Sequence, residues 1–180
     1  LSNTYCVEPN QENYFCLKNN LKDYKNVKYF NFALSTKKED KKLFIDKNNM
    51  GNLSFYYEMV ERDKLGFMNS PNNYEIIKCE STQKFFKSIK LKKNIIKIDT
   101  QGYDEIIFQE IPKNVLKKNQ ILIIEITPIN EKKINFSKYK ENLNFYKKFT
   151  DFDGNIYSKD QVIELSKKTK GKNIDLIFLK

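Results

Sequence analysis

Apolar and polar positions along the chain switch repeatedly between the two-residue period of strands and the longer period of helices. Residues 4–9 fit a short strand, residues 10–24 space apolar side chains at helical intervals, and residues 26–34 return to the strand period. This order predicts a strand–helix–strand unit, the repeating element of parallel sheets.

The same unit recurs later, where residues 94–99 and 120–128 fit strands and residues 103–111 fit a helix that ends before Pro112. The other patterns predict strands over 41–47, 74–80 and 173–180, and a strand followed by a turn over 145–154. They also predict a polar turn over 48–54 and helices over 81–89, 136–143 and 158–169, the last capped by Ser158. Residues 55–73 have no clear period. No repeat or linker interrupts the series. We expect one α/β domain over residues 1–180, with a mostly parallel sheet and an antiparallel last strand.

The amino-acid composition restricts the chemistry that is open to this chain. There is no histidine, so acid–base work falls to Asp, Glu, Lys, Tyr or a thiol. Cys6, Cys16 and Cys79 are an odd number without the spacing of a zinc site. We expect no metal and no disulfide framework, and we expect the cysteines to be packing residues in a reducing compartment.

Membrane and export signals are absent from the hydrophobic pattern. The longest apolar run, residues 121–124, is far shorter than the roughly 20 residues that span a bilayer, and no charged-then-apolar leader opens the sequence. We expect a soluble cytoplasmic protein that is not secreted and has no transmembrane segment.

The net charge of +10 raises the question of a nucleic-acid partner, because basic surfaces release counterions from phosphate backbones. Only Arg62 is an arginine, and the lysines are spread among Asn and Glu rather than arranged to bind phosphates. The densest lysine run, residues 87–94, fits a solvated helix end and turn, with a surface for an acidic partner as the alternative. The distribution of charge therefore favours a nucleic-acid partner less than a small-molecule one.

Three predicted strands end in a carboxylate or just before one, at Glu8, Asp99 and Glu125. Ligands of open α/β sheets bind outside the carboxyl ends of the strands. A carboxylate placed there loses water, which costs several kcal/mol unless the group is paired or meets a ligand. Three such residues in one sheet predict a polar pocket.

Each carboxylate also has a purely structural interpretation. Glu8 fits the acidic first turn of the next helix. Asp99 fits a helix cap, or an acceptor for the turn at Gly102. Glu125 fits the partner of a surface lysine. Lys97 shares a strand face with Asp99, so the two form an ion pair, or Lys97 positions a hydroxyl or acts as a base if burial lowers its pKa.

Four segments in a fixed order resemble the FkbM-type methyltransferases, class I enzymes that use S-adenosylmethionine. They are "VEPNQENYFCLKNN", "NVKYFNFALS", "IIKIDTQGYDEIIFQEI" and "ILIIEITP". The resemblance covers nearly all 180 residues, through the "DFDG" turn and the last strand. It implies a Rossmann-like class I methyltransferase fold and the transfer of a methyl group to a hydroxyl of a sugar or another small-molecule or glycan acceptor.

The resemblance also implies roles for particular residues. Glu8 matches the acidic residue that accepts hydrogen bonds from both ribose hydroxyls of the cofactor, because a carboxylate offers two acceptor oxygens. The other cofactor-binding residues that it implies are Pro9, Asn10, Ala33 and Leu34. At the reacting end it implies that Asp99 orients or deprotonates the acceptor hydroxyl, with Lys97 and Glu125 shaping the electric field around it.

The sequence departs from the family pattern at two places. Gln101 stands where Glu is frequent, and Asp104 stands where the pattern has a second Glu. The first strand of the family and its Gly-rich loop have no counterpart, so we expect a chain that is truncated at its N-terminus and binds cofactor poorly by itself. Two alternatives stay open: a methyltransferase-like binding module without chemistry, and a nucleic-acid methyltransferase.

Overall fold

The computed structural model of the chain describes residues 3–46, 48, 49, 51–61, 68–130 and 132–180. This part of the chain forms a mixed α/β structure with seven helices and eleven strands. The strands are β1 (Thr4–Val7), β2 (Val27–Phe30), β3 (Ala33–Ser35), β4 (Glu39–Ile45), β5 (Leu53–Ser54), β6 (Tyr74–Ser81), β7 (Asn94–Ile98), β8 (Asn119–Ile126), β9 (Lys148–Asp151), β10 (Ile156–Tyr157) and β11 (Ile174–Leu179). The helices are α1 (Gln11–Asn20), α2 (Tyr57–Val60), α3 (Thr82–Ser88), α4 (Asp104–Gln109), α5 (Lys113–Leu116), α6 (Phe136–Leu143) and α7 (Lys159–Lys167).

The largest sheet has five strands in the order β10-β9-β11-β8-β7. β7 and β8 are parallel, whereas β11 is antiparallel to both β8 and β9, which confirms the antiparallel last strand. Along β8, Leu122, Ile124 and Ile126 are buried while the residues between them are half-exposed, as the two-residue period requires. The buried face therefore carries the main core.

Helices α4, α6 and α7 supply the other side of this core. Phe108 of α4 packs edge-on against Tyr139 of α6 and against Phe178 of β11, with ring centroids 5.4 and 5.8 Å apart. All three rings are buried. Full burial of an aromatic side chain of this size contributes about 1.5–3 kcal/mol, so this cluster is a main source of stability.

A second sheet has the order β3-β6-β4-β5 and a small core of its own. Only β3 and β6 are parallel in it. Ala33, Leu43, Ile77 and Cys79 form its buried centre. Burial raises the pKa of the Cys79 thiol to about 11.

The expectation of one strand over residues 26–34 is wrong, because this stretch divides into β2 and β3, which belong to different sheets. β2 pairs with β1 in a parallel two-stranded sheet, and β3 pairs with β6. Asn31 lies between them, and its side-chain amide donates to the carbonyls of Glu8 and Pro9 at 3.0 Å each. That anchor holds the chain where it leaves one sheet for the other.

The expectation of a mostly parallel sheet also needs correction. Three strand pairings of the described residues are parallel and five are antiparallel. β4 is antiparallel to both β6 and β5, β9 is antiparallel to both β10 and β11, and β11 is antiparallel to β8. The short elements α5 and β10 were not predicted. Part of the stretch 55–73, which has no clear period, forms α2, and residues 62–67 of it lie outside the described residues. Met50, in the predicted polar turn, also lies outside the described residues. In the described part of the chain, no helix has the length and apolar character needed to cross a membrane.

Candidate active site

A large cleft with a volume of about 1430 Å³ runs between β1 and β7. Pockets for small molecules and cofactors are commonly about 300–1,000 Å³, and this cleft is larger, because no described strand lies between β1 and the edge of the five-stranded sheet at β7. Six of the eight predicted site residues line it: Glu8, Pro9, Ala33, Leu34, Lys97 and Asp99. Asn10 and Glu125 are not among its lining residues.

Glu8 lies directly after β1 and is half-buried at the cleft wall. Its Oε1 accepts a hydrogen bond from the backbone N–H of Asn10 at 2.8 Å. Burial raises the pKa of Glu8, and this hydrogen bond partly opposes the rise. Oε2 accepts no hydrogen bond from the described residues, so the carboxylate offers acceptor capacity toward the cleft.

Asn10 is buried and serves as the N-cap of α1. Its Oδ1 accepts from the backbone N–H of Asn13 at 3.0 Å, and its Nδ2 donates to Glu75 of β6 at 3.2 Å. The side chain is therefore committed to holding the start of α1 and tying it to the second sheet. Its backbone N–H, rather than its side chain, reaches the cleft wall through Glu8.

Lys97 and Asp99 form an ion pair at the end of β7, with Nζ and Oδ2 2.7 Å apart. Their side chains are 59% and 45% exposed. The hydrogen bond from Lys97 to Asp99 is the main cause that raises the pKa of Lys97. Lys97 therefore stays protonated at neutral pH, which favours the ion-pair interpretation over a role as base.

Gln101 holds the second oxygen of Asp99. Its Nε2 donates to Oδ1 at 3.1 Å, and its own backbone has a φ of 49°, which is rare for a residue other than glycine. Ser54 of β5 donates to the Gln101 carbonyl at 2.7 Å and braces this conformation. The sequence predicted no structural role for Gln101, and the structure assigns it to the orientation of Asp99.

Asp104, and not Asp99, accepts the backbone hydrogen bonds of the turn at Gly102. Its carboxylate accepts from the backbone N–H groups of Thr100 and Gly102, at 3.2 and 3.1 Å, and from the Thr100 hydroxyl at 3.0 Å. Asp104 is fully buried, and this burial, with a smaller contribution from Glu125, raises its pKa to about 7. Its position two residues after a glycine, at the start of a helix, was the signal that could have identified it.

Glu125 lies at the end of β8 on the strand next to Asp99 and opposite Asp175 of β11. Its two oxygens accept from Thr127 at 2.9 Å and from Asn173 at 3.1 Å, not from a surface lysine. Burial raises its pKa, and Asp99 and Asp175 add to the rise. The charge of Asp99 thus acts on Glu125, and Glu125 itself does not line the cleft.

An aromatic wall that sequence reasoning missed borders the same cleft. Phe55 and Tyr103 both line it, and their rings meet edge to face with centroids 4.9 Å apart. Lys41 lies 4.5 Å from the centre of the Tyr103 ring and donates to its hydroxyl at 3.0 Å. These residues come from β4, from the segment after β5 and from the turn after β7, so no local pattern joins them.

The family comparison gives the class of the protein first: a family model of methyltransferases matches residues 2–165, most of the chain. The chain is a methyltransferase domain. The matching model describes the methyltransferase FkbM domain, and the chain belongs to this family, which confirms the resemblance of the four sequence segments. No curated protein and no solved structure matches the chain significantly.

Proposed function

We propose that residues 1–180 form one domain of a class I methyltransferase that uses S-adenosylmethionine and methylates a hydroxyl of a sugar or another small-molecule or glycan acceptor. The observation that carries the proposal is the cleft itself. It collects Glu8, Pro9, Ala33 and Leu34, which the sequence resemblance assigns to the cofactor, and Lys97 and Asp99, which it assigns to the reacting end.

The cleft residues fit the proposed cofactor. Glu8 would hold the ribose, since its Oε2 accepts no hydrogen bond from the described residues and a carboxylate suits two adjacent hydroxyl donors. Ala33, Leu34 and Pro9 would supply apolar walls for the adenosine part. The cofactor, when bound, supplies a methyl group that its positive sulfur already activates.

Asp99 would orient the acceptor hydroxyl and take up its proton. Lys97 and Gln101 hold one carboxylate oxygen each, and each oxygen keeps a further lone pair for the acceptor. The two contacts fix the direction of the carboxylate before the acceptor binds, which lowers the entropic part of the barrier. Glu125 would keep the surroundings negative and so assist proton removal.

The first test is calorimetric titration of S-adenosylmethionine into the protein. Glu8→Gln is compared with Glu12→Gln, a matched change at an exposed acid on the adjacent helix. We expect Glu8→Gln to weaken binding by about 1–3 kcal/mol, the usual loss for a hydrogen bond to a charged group, and Glu12→Gln to leave it unchanged. If the unaltered protein does not bind the cofactor, the family membership records fold without chemistry.

The second test measures transfer of radiolabelled methyl groups to a panel of glycosides and other hydroxyl acceptors. Asp99→Asn keeps the shape of the side chain and removes its charge, while Asp23→Asn makes the same change on an exposed acid between α1 and β2 that does not line the cleft. We expect a loss of about 10²–10⁴-fold in kcat for Asp99→Asn, the usual range for a missing general base. Full turnover with an intact fold would exclude the role of Asp99.

A further inference from the structure

Behind the turn that carries Asp99 lies a buried ion pair that the proposed chemistry does not use. Lys132 Nζ and Glu105 Oε1 are 2.7 Å apart, and their side chains are 2% and 0% exposed. Lys132 also donates to the carbonyl of Thr127. Glu105 Oε2 finds no hydrogen-bond partner in the described part of the chain.

Burial of this pair is weak evidence for a role in stability. Removing two charges from water costs several kcal/mol per ion, and apolar residues of similar volume often stabilise a protein as well or better. The unpartnered Oε2 of Glu105 adds to the cost. What the pair does contribute is geometry, since it joins helix α4 to the segment that follows β8.

We define the post-β8 segment as the described residues 127–130 and 132–135. Besides Lys132, two backbone N–H groups anchor it: Asn130 donates to Glu58 at 2.7 Å and Asn135 donates to Gln109 at 2.6 Å. The partners of these anchors lie on two elements, Glu105 and Gln109 on α4 and Glu58 on α2. Together they fix the segment along its length.

Ile129, buried within this segment, packs directly on Gly102. A Cβ atom added to Gly102 would overlap Ile129 Cδ1, so the two residues are in close contact. Gly102 has a φ of 100° and follows Gln101, whose side chain holds Asp99. Ile129 thus packs against the turn whose Gln101 side chain holds Asp99.

We propose that Glu105 and Lys132 are positioning residues, which hold the post-β8 segment so that Ile129 clamps the Gln101–Gly102 turn and fixes the direction of Asp99. The consequence for catalysis rests on the proposed function. The clamp itself does not, and it can be tested without cofactor or acceptor.

The test replaces both charges at once, with Glu105→Met and Lys132→Met in one variant, so that neither charge stays buried alone. The matched control is Lys113→Met with Glu141→Met, an exposed ion pair on α5 and α6. Amide hydrogen exchange of Gly102 reports the turn, and exchange of Leu122 in the middle of β8 reports global unfolding.

We expect the buried-pair variant to keep its thermal midpoint within about 4 °C, because apolar pairs replace buried ion pairs at little cost. Exchange at Gly102 should accelerate about tenfold or more relative to exchange at Leu122, which follows any small change in global stability. The exposed-pair control should alter neither. Equal acceleration at both amides, or none at Gly102, would overturn the proposal, because a merely structural pair affects the whole fold alike.

Ile129→Ala provides a second route if the buried-pair variant does not fold, since it leaves both charges in place and removes only the clamp. It should also accelerate exchange at Gly102 selectively, and unchanged exchange there would overturn the proposal. In the methyl-transfer assay, both variants should lower kcat about tenfold and leave the KM for S-adenosylmethionine unchanged. Selective exchange at Gly102 in a protein that binds no cofactor would confirm the clamp and reject the proposed function.

Discussion

Replacement of Gly102 by alanine measures how tightly the turn after β7 is packed. The φ of 100° at Gly102 is unfavourable for any residue with a Cβ, at a cost of about 1–2 kcal/mol. The new methyl group would also overlap Ile129 Cδ1, and overpacking of this kind costs about 1–3 kcal/mol. The sum is a loss of about 2–5 kcal/mol in the free energy of unfolding.

The assay is urea denaturation followed by circular dichroism, with two companion variants. Gly154→Ala is the control for the backbone cost, because Gly154 also has a positive φ, 88°, but has no atom within 4 Å of an added Cβ. It should lose only about 1–2 kcal/mol. Ile129→Val removes the overlapping Cδ1 and by itself costs about 0.5–1.5 kcal/mol.

Gly102→Ala combined with Ile129→Val should therefore lose less stability than the sum of the two single changes. A coupling of about 1 kcal/mol or more is expected for residues in direct contact. The reasoning is refuted if Gly102→Ala costs no more than Gly154→Ala, or if the two changes at Gly102 and Ile129 are additive.

Three further predictions concern buried or capping side chains. Burial raises the pKa of Asp104 to about 7, so the folded protein binds more protons than the unfolded chain between about pH 4 and pH 7. The stabilisation that protonated Asp104 gives to the folded state is present at low pH and is lost as the pH rises to 7. Urea titrations at several pH values should therefore show that the free energy of unfolding of the wild type, relative to that of Asp104→Asn, falls between about pH 4 and pH 7. Asn119→Ala leaves the buried hydroxyl of Tyr146 without its acceptor at 2.7 Å and should cost about 1–3 kcal/mol in urea denaturation, less when Tyr146→Phe is added. Ser158→Ala removes the capping box of α7 and should cost about 1 kcal/mol by the same measurement, whereas Ser158→Asp should restore most of it.

Elements with local signals were predictable from the sequence. Helix α7 begins after Ser158 and helix α3 begins after Ser81. In both, the serine hydroxyl accepts a hydrogen bond from the backbone N–H three residues later, so the signal for the helix start is local in the sequence. The partner of a strand has no such local mark. Residues 26–34 show one two-residue period, yet Asn31 bonds to the turn after β1 and separates β2 from β3.

The candidate site shows the same division. The sequence placed Glu8 and Asp99 at strand ends, and both line the cleft. It did not identify Asp104 and Glu105 as the buried carboxylates, because their first helical turn is typical of an exposed helix start. Glu105 is buried with Lys132, 27 positions away, and only the folded chain brings those two residues together.

The labelling rate of Cys79 can measure how often the second sheet opens. Cys79 is 1% exposed and its raised pKa leaves almost no thiolate at neutral pH, whereas Cys16 is exposed on α1. In a variant with Cys6→Ser and Cys16→Ser, a maleimide dye can label the protein only when β3, β4 and β6 part around Cys79. The labelling rate then gives the frequency at which this sheet opens. A bound ligand that contacts both this sheet and the five-stranded sheet would lower the labelling rate.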